Sequence, residues 1–91
     1  MVTIIFPSIL LSITNQEKSI NLSATTVREA FTQLISRYGE AFKQKLFDNS
    51  GQPKRFLNIY LNGKNISFID NFESQLQEKD KLTILPRVTG G

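Results

Sequence analysis

Thr26-Val27-Arg28-Glu29-Ala30-Phe31-Thr32-Gln33-Leu34-Ile35-Ser36-Arg37-Tyr38-Gly39 is the stretch that decides the fold. Val27, Ala30, Phe31, Leu34, Ile35 and Tyr38 recur at helical spacing and make one apolar stripe. Thr26 followed by Glu29 fits a capping box, in which each side chain takes a backbone N–H at the helix start. Gly39 is a natural stop, because only glycine takes the left-handed C′ conformation without a Cβ penalty. One amphipathic helix must lay its stripe on something, and the flanking sequence supplies strands.

Upstream, Val2-Thr3-Ile4-Ile5-Phe6 is β-branched and aromatic, and Pro7 ends it. With Val2, Ile4 and Phe6 facing inward, Thr3 and Ile5 face outward. Ser8 to Leu11 is read as a turn and Asn15 to Lys18 as a second one. Ser19-Ile20-Asn21-Leu22 alternates and pairs back on the first strand as a hairpin. Downstream, Glu40 to Lys54 is read as a long connection with an apolar knot at Phe42, Leu46 and Phe47, and a turn cluster at Asp48 to Pro53. Arg55 to Leu61 alternates, with Leu57, Ile59 and Leu61 on one face and Phe56, Asn58 and Tyr60 on the other. Asn62-Gly63 is a hairpin turn signal. Ile66, Phe68 and Ile69 are read as a short strand or turn, Phe72 and Leu76 as a brief helical turn, and Leu82 to Leu85 as the last strand.

The order is therefore β-β-α-β-(short β)-β. A right-handed crossover through the helix puts the last strand beside the first, in parallel, inside the sheet. The expectation is an α+β fold of the β-grasp (ubiquitin-like) type, a mixed four- to five-stranded sheet packed on one main helix. Residues 1–85 form that domain and 86–91 a flexible tail.

Composition narrows the chemistry. The 91 residues hold no Cys and no His, so no thiol nucleophile, disulfide, imidazole base or usual zinc ligand set exists in the chain. Glu17, Glu29, Glu40, Glu73 and Glu78 are scattered, with no pair spaced for acid–base work. A net charge of +3 is too small to argue for nucleic acid. No apolar run reaches the roughly 20 residues of a membrane span. The apolar start, Met1 to Leu11, lacks a basic leader region and reads as strand, not signal peptide, so a cytoplasmic location is expected.

What remains is the end, Thr89-Gly90-Gly91 after Leu82-Thr83-Ile84-Leu85-Pro86. Two residues without Cβ atoms can enter a channel too narrow for side chains. A carboxylate presented on them can be converted in another enzyme's site. The alternative is an incidental frayed end. With this element order, the chain resembles the ubiquitin-like sulfur carriers, the family of the molybdopterin synthase small subunit and the thiamine-pathway carrier. Ile5-Phe6-Pro7 with Leu10, Arg55 to Asn62 and Thr83 to Gly91 are most similar to the branch that supplies sulfur for cysteine synthesis. Arg87 departs from the small or apolar residue common there.

The resemblance implies a carrier, not an enzyme, that binds no cofactor and no metal of its own. An E1-like adenylating enzyme would activate Gly91 with ATP and magnesium, and sulfide or a partner's persulfide would give a thiocarboxylate. A sulfur-accepting enzyme would take the sulfur, either of the pyridoxal-phosphate-dependent cysteine synthase type or the molybdopterin synthase large subunit. Pro86, Arg87, Val88, Thr89 and Gly90 would thread the end into the partner, spanning roughly 20 Å with Gly91. Family resemblance also implies docking through the sheet face away from the helix, where Ile5, Phe56, Tyr60 and Leu85 are expected to form a patch. Arg87 and Lys64 are read as solvated. A lysine-conjugating protein modifier and a plain β-grasp interaction module stay open. Neither nucleic acid nor membrane is an expected partner.

Overall fold

The computed structural model describes residues 1–55 and 57–86; Phe56, residues 87–91 and the side chain of Pro86 lie outside the described residues. Five strands, β1 (Val2–Ile5), β2 (Ser19–Leu22), β3 (Leu57–Leu61), β4 (Lys64–Asn65) and β5 (Lys81–Pro86), form one sheet in the order β2-β1-β5-β3-β4. β1 and β5 run parallel with Ile5 opposite Thr83; the other neighbours are antiparallel. The last strand thus lies inside the sheet beside the first, as a right-handed crossover requires.

The expected helix is α1 (Val27–Tyr38), with Val27, Ala30, Phe31 and Leu34 buried. It lies on the sheet face made by Val2 and Ile4 of β1, Ile59 and Leu61 of β3, and Leu82 and Ile84 of β5, all buried. Apolar surface removed from water on both layers holds them together, about 1.5–3 kcal/mol for each fully buried aliphatic side chain. The helix start is half of the expected capping box. The Glu29 N–H donates to Thr26 Oγ1 at 3.1 Å, but the Glu29 carboxylate takes a hydrogen bond from the Thr25 hydroxyl at 3.2 Å. The segment after β4 closes over this end: Val27 N–H donates to Ser74 O and Leu76 N–H to Thr25 O.

Three local readings are corrected or sharpened. Glu40 to Leu46 is a second helix, α2 (Glu40–Leu46), not part of a loop. Phe42 and Leu46 stand at i, i+4 and are both buried, so this turn exists to seat them. Gly39, at φ 85° and ψ −164°, ends α1 and starts α2 on a new axis. Rings lock the two helices: Phe42 lies 5.7 Å from Tyr38 and 6.5 Å from Phe31 between centroids. Second, the short strand is Lys64–Asn65, and Ile66–Phe68 is a 3₁₀ turn capped by Asn65, whose side chain accepts from the Ser67 N–H. Third, Ser8–Leu10 and Asn71–Glu73 are also 3₁₀ turns. Leu10 anchors the first in the core, and the Asp70 N–H donates to the buried Ser74 hydroxyl beside the second.

Candidate functional site: the outer sheet face and the strand that leads to the tail

β5 is the centre of the sheet and also the strand that leads to the tail. Its alternation is clean: Leu82 and Ile84 are buried against α1, so Lys81, Thr83 and Leu85 point to the opposite face. Register brings Ile5 of β1 and Tyr60 of β3 onto either side of Thr83. Ile5, Thr83 and Tyr60 therefore form one row across three adjacent strands, spanning about 10 Å. Leu85, 45% exposed, stands one step further along β5 toward the tail, opposite Asn58.

Of the four residues expected to form the patch, Ile5, Tyr60 and Leu85 share this face, and Phe56 lies outside the described residues. Thr83 occupies the middle of the row and the sequence reading passed over it. A threonine in an alternating strand carries no signal of its own; strand order alone makes it central. Ile5, Thr83 and Tyr60 are half-buried, since neighbours on a sheet shield one another's flanks. Beyond this row the face is polar: the Thr3 hydroxyl donates to Asn21 Oδ1 at 2.7 Å.

β5 ends at Pro86, opposite Leu57. Proline has no N–H to give to a ladder, which suits it to the last position of a strand. Arg87, Val88, Thr89, Gly90 and Gly91, the expected threading segment and reactive end, lie outside the described residues.

Elsewhere the surface offers little chemistry. An open cleft of about 500 Å³ between α2 and the loop after it is lined by Lys43 and Lys54 but equally by Glu40 and Asp48. Asp48 is committed to that loop: its Oδ1 accepts from the Ser50 hydroxyl at 2.6 Å and from the Gln52 N–H at 3.1 Å. These bonds, the Ser50 hydroxyl foremost, hold its carboxyl below the ordinary value. Burial, and then the Glu17 carboxylate that accepts its hydroxyl hydrogen at 2.9 Å, push the Tyr38 phenol up. Asp48 braces its own loop and Tyr38 ties α1 to the loop before β2; both lie away from the outer face. Among the described residues no three acidic side chains gather to hold a metal ion, and no helix is long and apolar enough to cross a membrane.

The ThiS family model matches residues 4–91, the greater part of the chain including its last residue. The chain belongs to the ThiS family. It is 34% identical over 92 residues to the sulfur carrier protein CysO of Mycobacterium tuberculosis, covering 99% of this chain and 98% of that protein. The structure of the Amycolatopsis orientalis BexX/CysO complex contains a chain that superposes with a TM-score of 0.87 at 35% identity, over the full length of both. The small archaeal modifier protein 1 of Methanosarcina acetivorans superposes with a TM-score of 0.86 at 26% identity, covering 99% of this chain and 95% of that one. This ThiS-family chain therefore has sulfur-carrier relatives along its whole length, and its β-grasp fold is theirs.

Proposed function

We propose that this ThiS-family chain is a sulfur carrier, most closely of the kind that serves cysteine biosynthesis, and that the sulfur rides on Gly91 as a thiocarboxylate. The observation that carries the reading is the end-to-end similarity to CysO, with the family match running through Gly91. The Gly91 carboxylate attacks the α-phosphate of ATP in an E1-like enzyme, and magnesium pyrophosphate leaves. The acyl-adenylate then accepts sulfide at its carbonyl carbon, AMP leaves, and a thiocarboxylate remains. Adenylation matters because it exchanges a very poor leaving group for AMP. In the acceptor enzyme, of the pyridoxal-phosphate-dependent cysteine synthase type, the thiocarboxylate sulfur is the nucleophile.

On this reading the chain is not an enzyme. ATP and magnesium act in the partner's site, and the cytoplasm supplies them. β5 delivers the end: a central strand anchored by Leu82 and Ile84 holds the base of the tail still while Pro86 to Gly91 reach into the partner. The test is intact-mass analysis with C-terminal fragmentation after incubation with the activating enzyme, ATP and sulfide. One oxygen-to-sulfur exchange located at Gly91 is expected, and none in Gly90→Leu or a Gly91 deletion. Normal adenylation of Gly90→Leu removes the threading mechanism.

Similarity to the small archaeal modifier protein 1 favours a second reading, in which the activated Gly91 forms isopeptide bonds to lysines. It uses the same adenylate and differs in the acceptor. Lysine adducts carrying the Gly-Gly remnant in cell extracts would support it, and their absence alongside thiocarboxylate would exclude it.

A further inference from the structure

Asn62 is the only asparagine of the chain that precedes a glycine. That dipeptide is the one most open to spontaneous deamidation, because glycine has no Cβ to keep its backbone nitrogen away from the side-chain carbonyl carbon in front of it. The other asparagines mostly precede Ile, Leu or Phe, whose bulk shields them. Asn62 is exposed at the tip of the β3–β4 hairpin, with φ of 52° at Asn62 and 88° at Gly63. A two-residue turn with both φ values positive calls for this dipeptide. The residues that suit the turn are therefore also the ones most open to hydrolysis.

The fold does not leave that side chain loose. Asn62 Nδ2 donates to Asp80 Oδ1 at 2.9 Å, and Asn62 Oδ1 accepts from the Lys81 N–H at 2.9 Å. The Asn62 N–H donates in turn to Lys81 O at 2.9 Å. The second Asp80 oxygen accepts from the Gln77 N–H at 2.8 Å, and the Asp80 carbonyl accepts from the Thr3 N–H at 2.9 Å. One side chain thus clasps the hairpin to the start of β5 and, through Asp80, to β1. The partners also fix which end of the amide is which, since an N–H meets the oxygen and a carboxylate meets the nitrogen. A carboxylate at position 62 cannot take over both roles. One oxygen would keep the Lys81 N–H, and the other would stand against Asp80, like charge on like charge.

We propose that Asn62 is a latent deamidation site that the Asp80–Lys81 clasp holds closed, and that its conversion unclasps the start of β5. The Gly63 nitrogen gives up its proton and attacks Asn62 Cγ. The bond from Cγ to the side-chain nitrogen breaks, ammonia leaves, and a five-membered succinimide remains. Water then opens the ring at either carbonyl and leaves aspartate or isoaspartate. One water is consumed and one ammonia released, with no oxidant or reductant. Ring closure needs Cγ to swing onto the Gly63 nitrogen, and both side-chain hydrogen bonds resist that movement. Reaction therefore passes through the opened clasp, at a rate set by how often it opens. Isoaspartate also lengthens the backbone of a two-residue turn, which the pairing register does not accommodate. Either product prevents the clasp from closing again. The inference stands independently of the sulfur-carrier reading.

The full chain is held in mildly alkaline buffer, and conversion at position 62 is followed by peptide mapping with electron-transfer fragmentation. Native protein is expected to react about tenfold more slowly, or slower still, than the same chain in guanidinium chloride, a factor that corresponds to about 1.4 kcal/mol. Asp80→Ala removes the acceptor for Nδ2 and is expected to recover most of that difference while still folded by circular dichroism. Asn62→Asp, the chemical product, is expected to lower the thermal midpoint by about 4–8 °C. Adding Asp80→Asn to it exchanges donor and acceptor across the clasp and keeps every hydrogen bond. That pair is expected to return the midpoint to within about 2 °C of wild type. Equal rates in native and denatured protein overturn the proposal, as does a folded Asp80→Ala that reacts no faster than wild type. So does an Asn62→Asp midpoint that the second substitution fails to raise. Should Asp80→Ala not fold, the native-to-denatured ratio and the exchanged pair decide.

Discussion

The two faces of this sheet are written in the same strands and answer to different constraints. On the inner face Val2, Ile4, Ile59, Leu82 and Ile84 are nearly sealed from water against α1. On the outer face Ile5, Thr83, Tyr60 and Leu85 are half-buried or exposed. Successive side chains of one strand differ by a half-turn, so Leu82 can serve stability while Thr83 serves recognition, with little crosstalk. The lesson is that mutations one position apart on β5 should report on different properties.

The sharpest way to break this comparison is on the inner face. Leu82→Ala is expected to cost about 2–5 kcal/mol, through lost burial and a residual cavity under α1, which thermal or denaturant unfolding measures. Partner affinity of the fraction still folded is expected to be unchanged. If affinity falls in step with stability, the faces are not independent.

Next comes the outer face. Tyr60→Asp places a charge at the β3 end of the apolar row. It is expected to weaken binding to the activating enzyme by about 2 kcal/mol or more if the row is the centre of the interface. Its unfolding free energy should shift by less than that. Calorimetric titration checks the first number and chemical denaturation the second. Unchanged affinity would mean that the tail alone carries recognition.

A smaller effect tests how much of the inner layer rests on the helix itself. Thr26→Ala removes the acceptor for the Glu29 N–H and is expected to cost about 1 kcal/mol, a fall of about 4–8 °C in thermal midpoint for a domain of this size. Thr25→Ala should cost less, because it loses only an exposed bond to the Glu29 carboxylate.

The smallest effect concerns acid. The carboxyl of Asp48 is held below its ordinary value by the Ser50 hydroxyl and the Gln52 N–H. A depressed folded-state value stabilises the fold above the ordinary carboxylate range and loses that contribution as pH falls through the folded value. Wild-type stability should therefore fall slightly more steeply than that of Asp48→Asn below about pH 4, as acid titrations of unfolding would register. Binding at the outer face should not follow it, because this loop lies beside α2.

Much of this was legible in the chain. The Val27 to Tyr38 stripe, the Thr26 cap, the Gly39 stop and the alternation in β1, β2, β3 and β5 are local signals, and the structure carries each of them. Handedness then left one place for the last strand. The turn of α2 was missed because seven residues with two apolar positions, Phe42 and Leu46, are too few to show a period; their burial under α1 makes the turn helical. The second arm of the capping box failed because Thr25 offers the Glu29 carboxylate a hydroxyl at 3.2 Å.

By itself the sequence determined which residues face inward, because alternation and the helical period are properties of adjacent positions. It also excluded thiol and imidazole chemistry, because the chain has neither Cys nor His. Tertiary structure alone decided which outward residues are neighbours. Ile5, Tyr60 and Thr83 are far apart in the chain and meet in one row through the order β1-β5-β3. It also ties Asp80 to the Asn62 side chain and the Gln77 N–H. Pairing register is a long-range outcome of packing the whole inner face at once, and no local pattern encodes it.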